Sequence, residues 1–513
     1  MAGFRKRALA IAMIGVMCMS VFSTVLLSGC SKGEEKPKET TLSKEEKENV
    51  KLKEKAREIK VSIDLNNVHQ TIEGFGASGA WWSQNVGGWT KIQKNGLETR
   101  EWIAQLLFDR ENGIGLNTYR YNVGGGSADS GNCDIGDKWR RAESFETAPG
   151  VYDFTKDANA VWFMNRAVEL GATEVVMFAN SPLERFTISG KAHGDANAAS
   201  KSNLAPENYA AYSNYFLDVV EHFVEEGLPI KFISPLNEPQ WDWTSGQEGC
   251  HFEPQEVVDF LKVFIEELEK RPTLAGVELS APESGEWGNT NYKYMEAIFA
   301  DEVLANYFTS LDCHSYWSDK AAKTKFKSWL TGKGYEDMVL RTSEWCEMVN
   351  GTDYTMDSAV NLAKEINDDL TVLDVVSWQY WIAVSCYNYR DGLIYVTTAN
   401  EVVVVPKRLW AMGNFSKFVL TGYQRVEADS TGTSLEISAF TGNNGTEDQV
   451  VVVMTNTSSA PVKYKVSDLN LGENFKLYVT DETHNLEEIT SERYEDGYIY
   501  LSGQSVNTLV VSK

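Results

Sequence analysis

The sequence predicts an α/β protein, a (β/α)8 TIM barrel with an antiparallel β-sandwich side domain formed by both chain ends. From about residue 72 to 405, apolar strand-like runs alternate with longer helical stretches, which is the pattern of a parallel barrel. Beyond about residue 410, short β-type runs separated by turn residues follow one another without helices, as in a sandwich. With 513 residues the chain is long enough for both domains.

The first 30 residues have the pattern of a bacterial lipoprotein signal peptide. Three basic residues at positions 5–7 precede an apolar run from Ala8 to Leu27, which ends in Leu27-Ser28-Gly29-Cys30. This ending resembles a lipobox and predicts that Cys30 carries lipid, so that the protein is anchored at the bacterial cell surface, outside the cytoplasm. The alternative is a transmembrane anchor, because the run is almost long enough to span a bilayer.

Residues 31–58 consist almost entirely of Lys, Glu and small polar residues. Such a segment cannot bury a core, and we predict a charged disordered linker between the membrane and the folded part, although its later portion also suits a solvated helix. Residues 59–71 contain the β-type stretch VSIDLNN at 61–67. We predict that this stretch adds an N-terminal strand to the side domain.

Eight runs are predicted to form the barrel strands. Several are too continuously apolar for a strand with one wet face and suit strands buried on both sides. A doubly wound open sheet is the alternative, but VGGGS at 123–127 lacks the spacing of a dinucleotide-binding loop. The runs are IEGFGA (72–77), LNTYRYNV (116–123), EVVMFANS (174–181), IKFISPLNE (230–238), GVELSAPE (276–283), FTSLDCHSYW (308–317), MVLRTSEW (338–345) and VVSWQYW (375–381).

The remainder, 406–513, is predicted to be the C-terminal β-sandwich domain. Its β-type runs are TSLEISAF, DQVVVVMTN, VKYKVS, FKLYVT, YIYL and SVNTLVVS.

Composition restricts the class of partner. The net charge of −25 argues against nucleic acid, because phosphate binding requires clustered Lys and Arg. The 15 Trp and 22 Tyr provide flat rings that suit the apolar faces of sugars, although a large aromatic core would need them too. Beyond the signal peptide, the cysteines have no metal-ligand spacing, so no metal is expected. These are Cys133, Cys250, Cys313, Cys346 and Cys386, most of which we expect to be buried small apolar residues; one disulfide among them stays open.

In a barrel, active-site groups project from the C-terminal ends of the strands. Two carboxylates among the strand-end residues stand out, Glu238 ending the fourth strand and Glu344 ending the seventh. Glycoside hydrolysis with retention needs such a pair about 5 to 5.5 Å apart, one as acid and one as nucleophile. The residues at the strand ends are Arg120, Asn122, Asn180, Asn237, Glu238, Glu283, His314, Tyr316, Glu344, Gln379 and Trp381.

The neighbours of the two glutamates have expected roles. We expect Arg120 to keep Glu344 ionised, Tyr316 to donate a hydrogen bond to it, and Asn237 to bind a sugar hydroxyl. An isolated glutamate would more often cap a helix or form an ion pair. Two charges placed after apolar strand residues are costly unless they face a cavity.

The remaining polar residues are expected to support the pair. Glu283 is predicted to belong to a hydrogen-bonded network, and His314 to hydrogen bond rather than to bind zinc. Pro239 turns the chain out of the sheet, and the tryptophans at 241 and 243 then form either a wall for a sugar or loop packing.

Five motifs resemble glycoside hydrolase family 30, in the clan of retaining barrels with catalytic residues on strands four and seven. The most specific are those that begin and end the series. The motifs are IEGFGASGAWW (72–82), NEPQWDW (237–243), HSYW (314–317), TSEW (342–345) and KRLWAMGNFSKF (407–418).

The resemblance implies a barrel fused to a β-sandwich and a two-glutamate mechanism that needs no cofactor. Glu238 matches the acid/base and Glu344 the nucleophile. The positions that line the sugar subsite match Arg120, Asn180, Asn237, Tyr316 and Trp381, and Trp241 is the further substrate-binding residue that we predict.

NEPQWDW together with QEGC (247–250) resembles the subgroup that cleaves β-1,6-galactan. The expected substrate is therefore a β-linked polysaccharide or oligosaccharide, first of all β-1,6-galactan in arabinogalactan side chains. The alternatives are a β-glucosidase, a β-1,6-glucanase, a xylanase, or a non-catalytic glycan-binding lipoprotein.

Overall fold

The computed structural model describes residues 43–198, 200–469 and 474–513. Residues 48–513 form one compact unit. The predicted signal peptide, Cys30 and the first part of the linker lie outside the described residues. Among the helices that the structure does describe, none is long and apolar enough to cross a membrane.

The barrel strands hydrogen bond in parallel around a closed ring. The ladder begins and ends with the two halves of the fifth strand, and the chain between these halves joins both neighbours. Ser280 N donates to Ile233 O in the fourth strand (2.8 Å), and Asp312 N in the sixth strand donates to Ala281 O (3.0 Å). The barrel strands, first to eighth, are Gly74–Ser78, Thr118–Asn122, Glu174–Phe178, Ile230–Ser234, Glu278–Leu279 with Pro282–Ser284, Ser310–His314, Val339–Glu344 and Ser377–Tyr380.

All eight predicted barrel strands are present, but several end earlier than predicted. The third ends at Phe178 rather than 181, the fourth at Ser234 rather than 238, and the sixth at His314 rather than 317. In the fourth, Pro235 follows the last strand residue and cannot donate a ladder hydrogen bond. The residues beyond these ends form the mouth of the barrel.

Helices separate the barrel strands, as the sequence predicts. Pro254–Leu268 shows why: it begins with a proline at its first turn and a capping box between Glu253 and Glu256, and its apolar residues form one buried face. The helices are Lys44–Lys55, Ser83–Val86, Thr99–Phe108, Ala158–Glu169, Tyr209–Glu225, Pro254–Leu268, Asn289–Ala300, Glu302–Tyr307, Lys320–Gly332, Met356–Asp368, Lys407–Ser416 and Thr490–Arg493.

The side domain consists of two sheets that enclose an apolar core of their own. Val61–Thr71 pairs antiparallel with Gln424–Ser430, so both chain ends build this domain, as predicted. In order across each sheet, the strands are Val61–Thr71, Gln424–Ser430, Leu435–Asn443, Asp448–Asn456, Ser505–Ser512, Phe475–Thr480 and Asn485–Glu488 in one, and Arg57–Glu58, Val462–Lys465, Tyr498–Leu501 and Tyr494–Glu495 in the other. Two small sheets on the barrel side contain Val384–Ser385, Ile394–Thr397 and Val402–Val404, and Glu146–Ala148 and Val151–Tyr152.

Two predicted boundaries differ from the structure. The segment 31–58 was expected to be disordered, yet Lys44–Lys55 is helical and Arg57–Glu58 pairs with Val462 and Lys463; alternating Lys and Glu supply helix-stabilising pairs. The helix Lys407–Ser416 lies in the predicted sandwich segment but also packs on the barrel, since Phe415 contacts Phe75 of the first strand at 6.1 Å between ring centroids. The five cysteines within the described residues are free thiols.

Candidate active site

A cavity of about 740 Å³ opens at the C-terminal ends of the barrel strands. Seven of the eight predicted catalytic and substrate-binding residues line it: Asn180, Asn237, Glu238, Trp241, Tyr316, Glu344 and Trp381. The eighth, Arg120, is fully buried and contacts two of the lining side chains. Further lining residues are Trp81, Arg140, Asp242, Trp243, Thr244, Ser245, Gln247, Trp317, Cys346, Met348, Tyr387, Asn388, Tyr389 and Asp391.

The carboxyl groups of Glu238 and Glu344 face the same part of this cavity. Glu344 is the last residue of the seventh strand. Glu238 lies beyond the fourth strand with a left-handed backbone, φ 42°. Three hydrogen bonds hold this backbone: its N–H donates to Glu283 O (2.9 Å), and its carbonyl accepts from the backbone N–H of Trp241 (3.2 Å) and from Trp243 Nε1 (3.0 Å). A carboxylate oxygen of each glutamate lies within 4.8 Å of the other.

Glu344 receives two strong hydrogen bonds. Arg120 Nη1 donates to its Oε2 at 2.5 Å, and the Tyr316 hydroxyl donates to its Oε1 at 2.9 Å. Arg120 is itself fixed, because its Nη2 donates to Asn237 Oδ1 (3.1 Å) and its guanidinium lies 3.6 Å from the ring centroid of Phe178. These donors stabilise the ionised form of Glu344.

His314 contacts both glutamates of the pair, Glu238 and Glu344, and is itself bonded to Glu283. Nδ1 of His314 lies 3.2 Å from Glu238 Oε1 and 3.3 Å from Glu344 Oε1, while its Nε2 lies 3.2 Å from Glu283 Oε2. Burial lowers the pKa of His314, but the carboxylates of Glu344, Glu238 and Glu283 outweigh this and raise it to about 9. Both ring nitrogens therefore carry protons at neutral pH.

Glu283 is the permanent anion of this cluster. Burial alone would raise its pKa, but the Arg120 and His314 cations and the Ser343 hydroxyl hold it at about 2. Two serine hydroxyls donate to it, Ser343 at 2.6 Å and Ser280 at 2.7 Å.

The cluster formed by Arg120, His314 and Glu283 has a net charge of +1. Arg120 and His314 contribute two positive charges and Glu283 one negative charge, so a single further negative charge balances the cluster. Burial raises the pKa of Glu344, and the Glu238 carboxyl adds to this, while His314 and Arg120 oppose it. The hydrogen bonds from Arg120 and Tyr316 favour the negative charge on Glu344.

Several polar atoms that line the cavity have no partner within the described part of the protein. Trp81 Nε1 and Asn180 Oδ1 are buried without a hydrogen bond, although Asn180 Nδ2 donates to Asn122 Oδ1 at 3.1 Å. The rings of Trp81 and Trp381 meet edge to face at 4.9 Å. Buried polar groups are normally paired, so these atoms are available to the hydroxyl groups of a ligand.

One group of side chains in the described residues has the proximity of a metal site, Glu238, His314 and Glu344, whose ligand atoms lie within 4.8 Å of one another. A doubly protonated imidazole has no free lone pair for a metal, and the Arg120 cation already contacts Glu344. The donor set therefore fits acid–base chemistry better than a bound cation.

The lining residues that were not singled out from the sequence include Trp81, Arg140, Trp317 and Tyr387. Trp81 and Trp317 each lie three residues beyond the end of a barrel strand, in the motifs GAWW and HSYW, so their position was available as a signal. Arg140 ends the three-residue 3₁₀ helix Lys138–Arg140, and its guanidinium lies over the ring of Trp81 (4.6 Å) and that of Tyr387 (4.9 Å). An element of three residues is too short to show a periodic pattern in the sequence.

Comparison with known proteins agrees with this geometry. Residues 58–395 match the model of O-glycosyl hydrolase family 30. An endo-β-1,6-galactanase of Hypocrea rufa is 22% identical over 428 residues, covering 78% of this chain and 81% of its own. The glucuronoxylanase XynC of Bacillus subtilis strain 168 is 24% identical over 371 residues, which cover 68% of this chain and 76% of the xylanase.

A solved structure of a conserved exported protein from Bacteroides fragilis superposes with a TM-score of 0.76 at 25% identity, covering 88% of this chain and 100% of that one. Since the family match includes every barrel strand and both glutamates of the cavity, the chain belongs to O-glycosyl hydrolase family 30 and is a glycosidase of β-linked glycans.

Proposed function

We propose that this glycosidase cleaves β-1,6-galactan with retention of anomeric configuration, Glu344 acting as nucleophile and Glu238 as acid/base. The observation that carries the mechanism is the pair of buried carboxyl groups whose oxygens lie within 4.8 Å of each other at the cavity mouth. That separation leaves no room for a water molecule between sugar and base, which an inverting enzyme with carboxyls roughly 6.5 to 9.5 Å apart would need.

In the first step the Glu344 carboxylate attacks the anomeric carbon while Glu238 donates its proton to the leaving oxygen. Arg120 and Tyr316 hold the Glu344 carboxylate in place. In the second step Glu238, now ionised, takes a proton from water, which displaces Glu344 from the sugar. His314 remains protonated and compensates the negative charge that moves between the two glutamates.

Support for galactan comes from the stretch NEPQWDW with QEGC, which contributes Glu238, Trp241, Trp243 and Gln247 to the cavity, and from the similarity to the Hypocrea rufa galactanase. The comparable similarity to a glucuronoxylanase makes xylan the second candidate. β-1,6-Glucan and simple β-glucosides use the same chemistry.

The experiment is a substrate panel. The purified protein is incubated with β-1,6-galactan, β-1,6-glucan, xylan, glucuronoxylan and aryl β-glycosides, and the products are separated and identified. Release of β-1,6-linked galacto-oligosaccharides at the highest rate supports the proposal. Faster cleavage of xylan or glucan contradicts the assigned sugar, and binding of a glycan without cleavage indicates the non-catalytic alternative.

The Glu238→Gln variant is the control for this panel, because it keeps the shape of the side chain and removes its proton-donating carboxyl. Loss of activity in that variant shows that the measured hydrolysis comes from this cavity.

We further propose that the enzyme works at the bacterial cell surface, attached by lipid on Cys30. The lipobox-like ending of the N-terminal apolar run supports this. A polysaccharide too large to cross a membrane has to be cut outside the cell, which agrees with such a location.

A further inference from the structure

Two tryptophans at the cavity rim are exposed to solvent. Trp241, beyond the fourth strand, is 43% exposed, and Trp317, beyond the sixth, is 56% exposed. All 15 tryptophans of the chain lie in the described residues, and only these two are in the exposed class. Their rings meet edge to face with centroids 5.7 Å apart. Exposed aromatic surface next to a site commonly marks where a ligand binds.

The backbone conformation at Trp317 does not favour a tryptophan. Its φ is 49°, in the left-handed region that glycine and asparagine adopt most easily. Its ring contributes little to the core, although it contacts the Tyr316 ring at 5.5 Å. A large ring kept at a left-handed, exposed position is expected where the ring itself has a function.

Trp243 provides the contrast. It too has a left-handed backbone, φ 47°, but it is half-buried, and its Nε1 donates to the carbonyl of Glu238 at 3.0 Å. That bond accounts for Trp243 as part of the frame of Glu238. No comparable bond from the ring accounts for Trp241 or Trp317 among the hydrogen bonds of the described residues.

The exposed pair lies beside the acid/base. The backbone N–H of Trp241 donates to the backbone carbonyl of Glu238 at 3.2 Å. Trp317 directly follows Tyr316, whose hydroxyl contacts Glu344. Two other tryptophans of the cavity are enclosed: Trp81 is 4% and Trp381 8% exposed. The sugar that reacts with Glu344 has to enter the enclosed part, so the leaving group meets Glu238 and extends toward solvent.

We propose that Trp317, together with Trp241, forms an aromatic platform that binds the sugar on the leaving-group side of the cleaved bond. This inference rests on the proposed glycosidase mechanism and names a specificity-determining residue for it. The flat rings face the apolar C–H surface of a pyranose, so the enzyme favours substrates with a sugar, rather than a small group, as leaving group.

The test compares two substrates that share the reacting sugar. β-1,6-Galactotriose presents a sugar as leaving group, whereas β-galactosyl fluoride presents only a fluoride ion, which has no ring to stack. Trp317→Ala is expected to lower kcat/KM for the trisaccharide about tenfold more than kcat/KM for the fluoride, the amount that one aromatic contact provides.

Two matched variants distinguish the effect of a flat ring at position 317 from the effect of apolar volume alone. Trp317→Phe keeps a planar face and is expected to restore most of the ratio between the two substrates. Trp317→Leu keeps apolar volume without a plane and is expected to behave like Trp317→Ala. Thermal unfolding of all three variants checks that each is folded. We expect all three to fold, because Trp317 is exposed.

Several results would overturn the platform. One is an equal loss on both substrates, which indicates a distorted Glu238. Another is an undiminished rate on the trisaccharide, and a third is a wild-type enzyme that hydrolyses the fluoride but no oligosaccharide. If the substrate panel identifies another sugar, the galactan assignment fails, and the fluoride and trisaccharide of that sugar replace the galactosyl pair. Hydrolysis of no substrate at all would contradict the glycosidase mechanism itself.

Discussion

Glu238 and Glu344 meet at a single atom, Nδ1 of His314, which lies 3.2 Å from Oε1 of the first and 3.3 Å from Oε1 of the second. One N–H between two carboxyl groups compensates part of their repulsion and fixes their separation. The surroundings of the two carboxyl groups otherwise differ, because Glu344 alone of the two also accepts hydrogen bonds from Arg120 and Tyr316. A negative charge is therefore better stabilised on Glu344 than on Glu238.

This asymmetry predicts that the two alanine variants differ in kind. Glu344→Ala removes the group that forms the covalent intermediate, so azide, where it restores activity, should give a glycosyl azide of inverted configuration. Glu238→Ala keeps the nucleophile and should give a glycosyl azide of retained configuration. NMR of the isolated azide products distinguishes the two outcomes.

The same variants differ in their response to the leaving group. General acid catalysis contributes roughly 10²- to 10⁴-fold, so Glu238→Ala should lose about that much more activity on a natural glycan than on a dinitrophenyl glycoside, whose leaving group needs no proton. Azide products with the opposite stereochemistry, or near wild-type glycan hydrolysis by either variant, would reverse or remove the assignment.

The buried His314 predicts a pH-dependent contribution to stability. Its pKa rises from 6.5 to about 9 in the folded protein, so its charged interactions stabilise the fold fully below pH 6.5 and are lost as the pH rises through 9. The difference in free energy of unfolding between wild type and His314→Gln should therefore shrink by roughly 3 kcal/mol between pH 6 and pH 10.

Chemical denaturation of both proteins at pH 6, 8 and 10 measures this difference, in which the titration of groups remote from His314 cancels. A difference that does not change with pH would mean that His314 is neutral in the folded protein and that the charge balance of the cluster is different.

The strand positions and the two glutamates were predictable because each obeys a local rule. Buried parallel strands are continuously apolar, and a charge directly after such a run has to face a cavity. The fourth and seventh strands illustrate this, with Glu344 ending one and Glu238 lying four residues beyond Ser234. The length of the strands was less predictable, since the apolar composition continues past the last ladder hydrogen bond.

Contacts between distant loops were not predictable. The glycine-rich stretch 123–127 carries no phosphate-binding pattern, and the structure gives it another partner: the N–H groups of Gly125 and Ser127 donate to the buried carboxylate of Glu248 at 2.9 and 3.1 Å. Burial raises the pKa of Glu248 to about 7. This bond holds the loop that contributes Gln247 to the cavity, and nothing in either segment alone specifies it.

The proposed lipid anchor predicts the behaviour of Cys30. Cys30→Ala should leave the protein without lipid, either unprocessed or secreted, because the modified thiol is missing. Partition between detergent and aqueous phases after expression in a bacterium measures this. Identical partition of wild type and variant would contradict lipidation at Cys30.

Gly285 leaves space for the acid/base. A Cβ atom at this position would stand 2.8 Å from Oε1 of Glu238 and closer still to the amide of Gln240. Both neighbours are side-chain ends that can move, so Gly285→Ala should fold but displace the Glu238 carboxyl. Because small displacements of a catalytic group are costly, we expect kcat/KM for the glycan to fall by about 10²-fold, and by less for a dinitrophenyl glycoside. Gly276→Ala is the control, since a Cβ there would meet no heavy atom within 4 Å. Equal rates for Gly285→Ala and Gly276→Ala would show that the position of Glu238 does not depend on Gly285.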